Sequence, residues 1–296
     1  LPALWALLDS QHEVVAVITR PDAPAGRGRT LTPSPVAAVA AERGLEILRP
    51  QRPSDPDFLA RLRELAPDCV PVVAYGALVP REALRIPKHG WVNLHFSLLP
   101  RWRGAAPAQR TIIAGDAVAG ASTFRVVKAL DAGPVYRTLS HPLTGIETAG
   151  ELLAALAERG APLLLDTLDD LPRVEPTPQP EAGLTIAPKI TVAEARLDWT
   201  RDGHELDRLI RGCSPEPMAW TTLNAERVKI GLARPLGTDD LAPGALRPER
   251  RRVVVGTGTV DLELLRVQAH GKREMPGADW ARGLRADALA FDAVDA

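Results

Sequence analysis

Along the first 171 residues the apolar positions switch repeatedly between a period of two and a period near 3.6. Residues 12–19 (HEVVAVIT) form a β-branched, strand-like run behind a short helical stretch ending near Ser10. Residues 35–43 read as a helix, 45–48 as a short strand and 55–65 as a second helix. Residues 68–75 (DCVPVVAY) are apolar on both faces, and 91–96 (WVNLHF) give a further strand. A helix over 105–114, strands over 121–127 and 135–139, and a long alanine- and leucine-rich helix over 148–171 complete this half. Continuous apolar strands alternating with helices predict an α/β fold, a mostly parallel sheet covered on both faces. Ligands of such sheets bind at the carboxyl ends of the strands.

The pattern then changes. Residues 172–188 hold five prolines and little periodicity, which reads as a semi-rigid linker. A helix over 202–213 follows, then strand-like runs at 220–224, 227–232, 252–256 and 259–267, punctuated by Gly, Pro and Asp. A small antiparallel β-barrel is expected. The chain of 296 residues is about twice the ~150-residue prior for one domain, and the expected division is 1–172, a linker over 173–197, and 198–296.

Composition narrows the class. An apolar content of 45% supplies a core, and 25% charged residues is ordinary for a folded chain. No apolar stretch approaches the ~20 residues a membrane-spanning helix needs, so no membrane partner is expected. Cys69 and Cys213 are the only cysteines, which excludes a disulfide scaffold and a four-cysteine zinc site; a reducing, cytoplasmic setting and no metal are expected. The chain opens Leu-Pro-Ala without a charged, apolar-cored leader, so no signal peptide is expected. Net charge is −1 and evenly spread between the two halves, so any polyanion site must be a local cluster.

Chemistry concentrates in residues 91–109 (WVNLHFSLLPRWRGAAPAQ). Asn93 and His95 lie two apart on one strand and so project from the same face. Alone they are more often a hydrogen-bonded core histidine beside an edge asparagine; two polar groups facing one way in an apolar strand need partners or a task, and the residues that follow favour a task. The small-residue run from Gly104 to Pro107 lets backbone pass close to a flat ligand. No acidic residue occurs between Glu82 and Asp116, whereas Arg85, Lys88, Arg101, Arg103 and Arg110 do, giving a positive field for an anionic substrate. Asp131, in Ala129-Leu-Asp-Ala-Gly133, supplies a carboxylate. An Asp before Ala-Gly is commonly a turn former; beside Asn93 and His95 it completes an acid–base set, favouring a protonated ring and fixing its tautomer.

The run NLHFSLLPRWRGAAP (93–107), followed by LDAG (130–133), resembles the signature of the folate-dependent formyltransferases. RPDAPAGRGR (20–29) resembles that family's tRNA-contacting loop, and VAYG (73–76) the strand end beside its folate pocket. APKI (187–190), ARLDW (195–199) and QAHGK (268–272) resemble its linker and C-terminal domain. The family's opening strand and Gly-Thr-Pro turn are not in this sequence, which is therefore expected to enter the fold partway and to leave unpaired backbone near the sheet centre. Phe96 stands where many relatives have Gly, and 213–218 (CSPEPM) replaces a more aromatic stretch.

The resemblance implies a Rossmann-like catalytic domain and an OB-like, tRNA-binding C-terminal domain. It implies transfer of a formyl group from 10-formyltetrahydrofolate to the α-amino group of methionyl initiator tRNA, at the start of translation. Asn93 and a protonated His95 would bind the developing oxyanion while Asp131 keeps the ring charged and takes the amine proton through a water. Tyr75, Gly76 and Ser97, Leu98, Leu99 and Pro100 would border the folate. Arg27 and Arg29 would reach the tRNA acceptor stem, with Arg266, Lys272 and Arg273 as further phosphate contacts. A monomer is expected. Formylation of a small amine (a glycinamide ribonucleotide or an amino-sugar nucleotide), hydrolysis of the formyl folate, and a non-catalytic RNA-binding module are the competing readings.

Overall fold

The structure, a computed structural model, describes residues 1–25, 30–171, 173–284 and 289–294. The chain divides into two compact units, the first comprising Leu1–Pro107, Ala119–His141 and Ala154–Ala187. Its elements, with the helices that straddle the division, are α1 (Pro2–Leu8), β1 (Val17–Ile18), β2 (Ala23–Ala25), β3 (Thr30–Thr32), α2 (Pro35–Glu42), β4 (Ile47–Leu48), α3 (Pro56–Leu65), β5 (Val70–Val73), α4 (Arg81–Leu84), β6 (Trp91–His95), α5 (Pro107–Ala114), β7 (Val118–Arg125), β8 (Val135–Pro142) and α6 (Ala149–Asp170).

Local chemistry sets the helix starts. Ser34 caps α2, its Oγ accepting the Ala37 N–H at 3.1 Å, and Pro35 occupies a first-turn position where no N–H is required. Pro56 plays the same part in α3, which buries Phe58, Leu59 and Leu62. That apolar face packs on Trp91, Val72 and Ala83.

Strand β6 is the centre of the unit. It pairs with β5 in parallel, Val70 opposite Trp91 and Val73 opposite Leu94, and with β7 antiparallel, Asn93 opposite Phe124 and His95 opposite Ser122. Val92 and Leu94 point into a core shared with Leu164 and Leu168 of α6. Trp91, on the other face, packs on the α3 side and donates its indole N–H to the Ala83 carbonyl at 2.9 Å. Burial on both faces is why the strand reads as almost continuously apolar, and the two polar residues on the Trp91 side are the exception. The described strands form a parallel two-stranded sheet, β1–β4, and a four-stranded sheet in the order β5-β6-β7-β8, in which β5–β6 is parallel and β6–β7 antiparallel.

The 12–19 run is much shorter as a strand than its β-branched pattern predicts. Only Val17–Ile18 pair, because the partner β4 is two residues long; Val17 N–H bonds the Glu46 carbonyl and Thr19 N–H the Leu48 carbonyl. Propensity alone cannot extend a strand that has no neighbour. No ladder among the described residues joins β1–β4 to β5–β8, although Ile18 and Leu48 pack on the same core as Val70 and Trp91.

The second unit comprises Ala108–Val118, Pro142–Leu153 and Pro188–Ala296. It holds α7 (Gly203–Cys213), β9 (Ala219–Leu223), β10 (Glu226–Pro235), β11 (Leu246–Pro248), β12 (Val253–Val255), β13 (Leu262–Ala269), β14 (Met275–Pro276) and α8 (Gly277–Ala281). The strands run antiparallel in the order β11-β12-β13-β10-β9, with β14 on β13: an open half-barrel. Irregular register near Ile230–Ala233 bends β10. Trp199 and Trp280 both stack on Phe291, at 5.1 and 6.0 Å between centroids. No helix among the described residues is long and apolar enough to cross a membrane.

Candidate active site

The site lies where β6 ends. Asn93 is half-buried inside the strand, and His95, at its carboxyl end, has a side chain only 7% exposed. Asp131 reaches it from the turn between β7 and β8, its backbone at φ +46°, a left-handed conformation uncommon outside glycine. The Asp131 carboxylate is also buried, 13% exposed, and accepts the Gly104 N–H at Oδ2 (2.8 Å). The same oxygen lies 3.9 Å from His95 Nδ1. Residues 36 positions apart are thus brought together, at a spacing too long for a direct hydrogen bond and short enough for one bridging N–H or water.

Two features bear on the protonation of His95. His95 Nε2 lies 2.8 Å from the Trp102 carbonyl oxygen, which can only accept; Nε2 therefore carries the proton. Burial pulls the His95 pKa below its ordinary 6.5, against the opposing pull of the Asp131 carboxylate and the Trp102 carbonyl. Burial thus favours the neutral ring at rest, with Nδ1 turned toward Asp131. Phe124, edge-on to the imidazole at 6.2 Å, supplies part of the apolar wall that causes this.

A stability prediction follows from the sign of that shift. As pH falls below 6.5 the unfolded chain takes up the His95 proton before the folded one, so stability is full above that value and declines from there down to the folded-state pKa. Carboxylates held low by hydrogen bonds, such as Glu147 at about 2, act in a separate window below their ordinary 4.5. Urea denaturation at pH 7.5 and 5.5 should show wild-type stability falling with pH, and His95→Gln should flatten the profile. An equal slope in both proteins would contradict the assignment.

The remaining expected positions fall into distinct places. Ser97 is buried and spends its hydroxyl on the Arg101 carbonyl (2.6 Å); Ser122 Oγ donates to the Ser97 carbonyl and accepts from the Leu99 N–H. The 97–100 turn is therefore internally pinned, and Leu98, Leu99 and Pro100 are half-buried along it. The Tyr75 ring packs against the Trp91 cluster, whereas Gly76 is exposed in a turn whose Leu78 is 75% exposed. Arg27 and Arg29 lie outside the described residues. Arg266, on β13 of the second unit, is half-exposed and paired with Glu274 at 2.9 Å. Lys272 and Arg273 are exposed in the turn before β14. Desolvation pushes the thiols of half-buried Cys69 and buried Cys213 each up to about 12, which removes them as nucleophiles at neutral pH.

Gln179 went unrecognised in the sequence, and Gly104 and Arg103, noted there for other reasons, support the site structurally. Gly104 takes φ +130°, and a Cβ there would sit 2.6 Å from the Ala187 carbonyl oxygen; only glycine presents its N–H to Asp131 in that position. Gln179, from the proline-rich stretch, donates through Nε2 to the carbonyls of Asp131 (2.8 Å) and Gly133 (2.7 Å). Its Oε1 accepts Arg103 Nε (2.9 Å) and Nη2 (2.7 Å).

Sequence comparison decides the family. The model of the family described as formyl transferase matches residues 3–168, and that of the formyl transferase C-terminal domain matches 189–285. The chain belongs to the formyl transferase family. Curated relatives of this formyl transferase include a methionyl-tRNA formyltransferase of Streptomyces coelicolor, 57% identical over 289 residues, covering 96% of this chain and 93% of the relative. Another, from Salinispora arenicola, is 56% identical over 290 residues, covering 96% and 94%. Among solved structures, WlaRD, described as a sugar 3N-formyl transferase, superposes with a TM-score of 0.65 at 14% identity, covering 92% and 94%. HypX from Aquifex aeolicus, solved in complex with tetrahydrofolic acid, gives 0.62 at 19% identity, with 81% of this chain but 43% of HypX covered. These two share the fold.

Proposed function

We propose that this formyl transferase acts through Asn93, His95 and Asp131 on a single migrating formyl group. The chain is an enzyme of one-carbon transfer: it moves the formyl group of 10-formyltetrahydrofolate, its donor substrate, to the α-amino group of methionyl initiator tRNA. The observation that carries the residue assignment is the buried 3.9 Å gap between His95 Nδ1 and Asp131 Oδ2 at the carboxyl end of β6.

The gap presents two proton acceptors, a neutral imidazole nitrogen and a carboxylate, to one point. An attacking amine that directs an N–H there is held with its lone pair free for the formyl carbon. As the C–N bond forms, the carbonyl electron pair moves to the formyl oxygen, where the Asn93 amide N–H donates; an amide does so at any pH. The amine proton passes to the His95–Asp131 pair, whose carboxylate stabilises the imidazolium so formed. When the electron pair returns from oxygen, the bond to N10 of the folate breaks and the pair returns the proton to that nitrogen. His95 is charged during turnover and neutral at rest. On this reading the backbone of residues 97–100 and the exposed turn after β5 border the pterin.

The same reading assigns catalysis to residues 1–172 and tRNA binding to 198–296, with Arg27, Arg29, Lys272 and Arg273 as phosphate contacts, and a monomer working in the cytoplasm. Incubation with 10-formyltetrahydrofolate and methionyl initiator tRNA should yield formylmethionyl-tRNA. Uncharged and elongator tRNA should yield little. Formate release without acceptor, or formylation of a small amine in preference to charged tRNA, would replace this reading with one of the alternatives.

A further inference from the structure

We infer that Gln179 is a positioning residue of the formyl transfer, holding the Asp131 turn in its working geometry from within the proline-rich segment; this rests on the role of Asp131 given above. Asp131 sits in left-handed backbone, which Asp tolerates better than most residues but which still needs surrounding contacts to hold it in one geometry. The Gln179 amide supplies those contacts. It bonds the carbonyl of Asp131 itself and that of Gly133, so it grips both sides of the turn. Its oxygen is in turn fixed by two donors of Arg103, one residue before the Gly104 N–H that bonds the Asp131 carboxylate. Two donors and a doubly accepting oxygen are the full capacity of a primary amide. Neither Glu, which cannot donate, nor Lys, which cannot accept, reproduces the set.

Its backbone is prepared for the task. Pro178 and Pro180 flank it, and a following proline restricts Gln179 to extended conformations, lowering the entropy lost on ordering. Gln179 is half-buried between two exposed prolines, so this one side chain turns inward. Further along, the segment also binds the other loop of the site. Arg103 N–H donates to the Thr185 carbonyl (3.0 Å), Ala187 N–H to the Arg103 carbonyl (2.7 Å) and Trp102 N–H to Thr185 Oγ1 (2.9 Å). The stretch expected to be a spacer thus ties the loop after His95 to the turn bearing Asp131. The distance that matters chemically, His95 Nδ1 to Asp131 Oδ2, is set by two loops that the segment joins.

The test is a double-mutant cycle read by steady-state formylation kinetics and thermal unfolding. Gln179→Glu keeps the acceptor for Arg103 and removes both donors to the turn. In the wild-type background it should lower kcat by about 10²-fold, the order expected for an ångström-scale misplacement, with KM for donor and tRNA changed less than about twofold and the thermal midpoint little affected. In an Asp131→Asn background the same substitution should lower kcat hardly further, because the carboxylate whose position it governs is gone. A full, additive loss in both backgrounds, an unchanged kcat, or an effect confined to KM and the thermal midpoint would overturn the assignment. If Gln179→Glu does not fold, Arg103→Lys, which loses the two-pronged grip on Oε1 and keeps the charge, is read in the same cycle with the same outcomes. Full activity of Asp131→Asn alone would instead remove the role of Asp131 and leave the Gln179 bridge a structural one.

Discussion

Replacing Asp131 by Asn is expected to lower kcat by about 10²–10⁴-fold, the contribution typical of general acid–base catalysis, with near-wild-type folding. The amide is almost isosteric, and its oxygen still accepts the Gly104 N–H that fixes the turn. Lost are the negative charge beside His95 and the second proton acceptor of the 3.9 Å gap. The carboxylate also raises the His95 pKa against burial. Without it the imidazolium formed on taking the amine proton is less stable, so the barrier to proton transfer rises. Two measurements check this: single-turnover formylation, and the His95 titration followed by NMR, which should move to lower pH in the variant. A rate within a few-fold of wild type would show that Asp131 is an ordinary turn residue.

Asn93→Ala should cost about 10²–10³ in kcat, the effect of deleting one donor to a developing oxyanion. No hydrogen bond to another described residue engages the Asn93 amide, so its loss strands no buried partner and should cost little stability. KM for either substrate should change far less than kcat, because the ground-state carbonyl oxygen carries little charge. Asn93→Asp should be at least as impaired as the alanine variant, since a carboxylate repels an oxyanion. Steady-state kinetics with saturating tRNA distinguishes these outcomes. A rise in KM with unchanged kcat would place Asn93 in substrate binding alone.

Much of the framework is legible along the chain because it rests on periodicity. The starts of α2 and α3 follow from Ser34-Pro35 and Pro56, and β6 reads as a doubly covered strand because Trp91, Val92 and Leu94 are all buried. Within β6 the alternation alone puts Asn93 and His95 on one face. What escapes the sequence is whatever depends on contacts distant along the chain. The protonation of His95 depends on a carbonyl seven residues later and on the burial of the ring. That Tyr75 packs half-buried against the Trp91 cluster and that Ser97 spends its hydroxyl on its own turn is not visible in the sequence either. The Arg266–Glu274 pair forms only once β13 and β14 fold together. Gln179 lies 48 residues beyond Asp131, in a stretch whose prolines conceal any pattern.

The central claim, that Asn93, His95 and Asp131 meet around one formyl group, is tested most directly by a crystal structure with a stable formyl-tetrahydrofolate analogue. The formyl oxygen should lie about 2.7–3.1 Å from the Asn93 amide nitrogen, with the carbon open to attack from the side of the His95–Asp131 gap. A one-carbon unit bound out of reach of all three side chains, with the pterin seated away from the carboxyl end of β6, would contradict it.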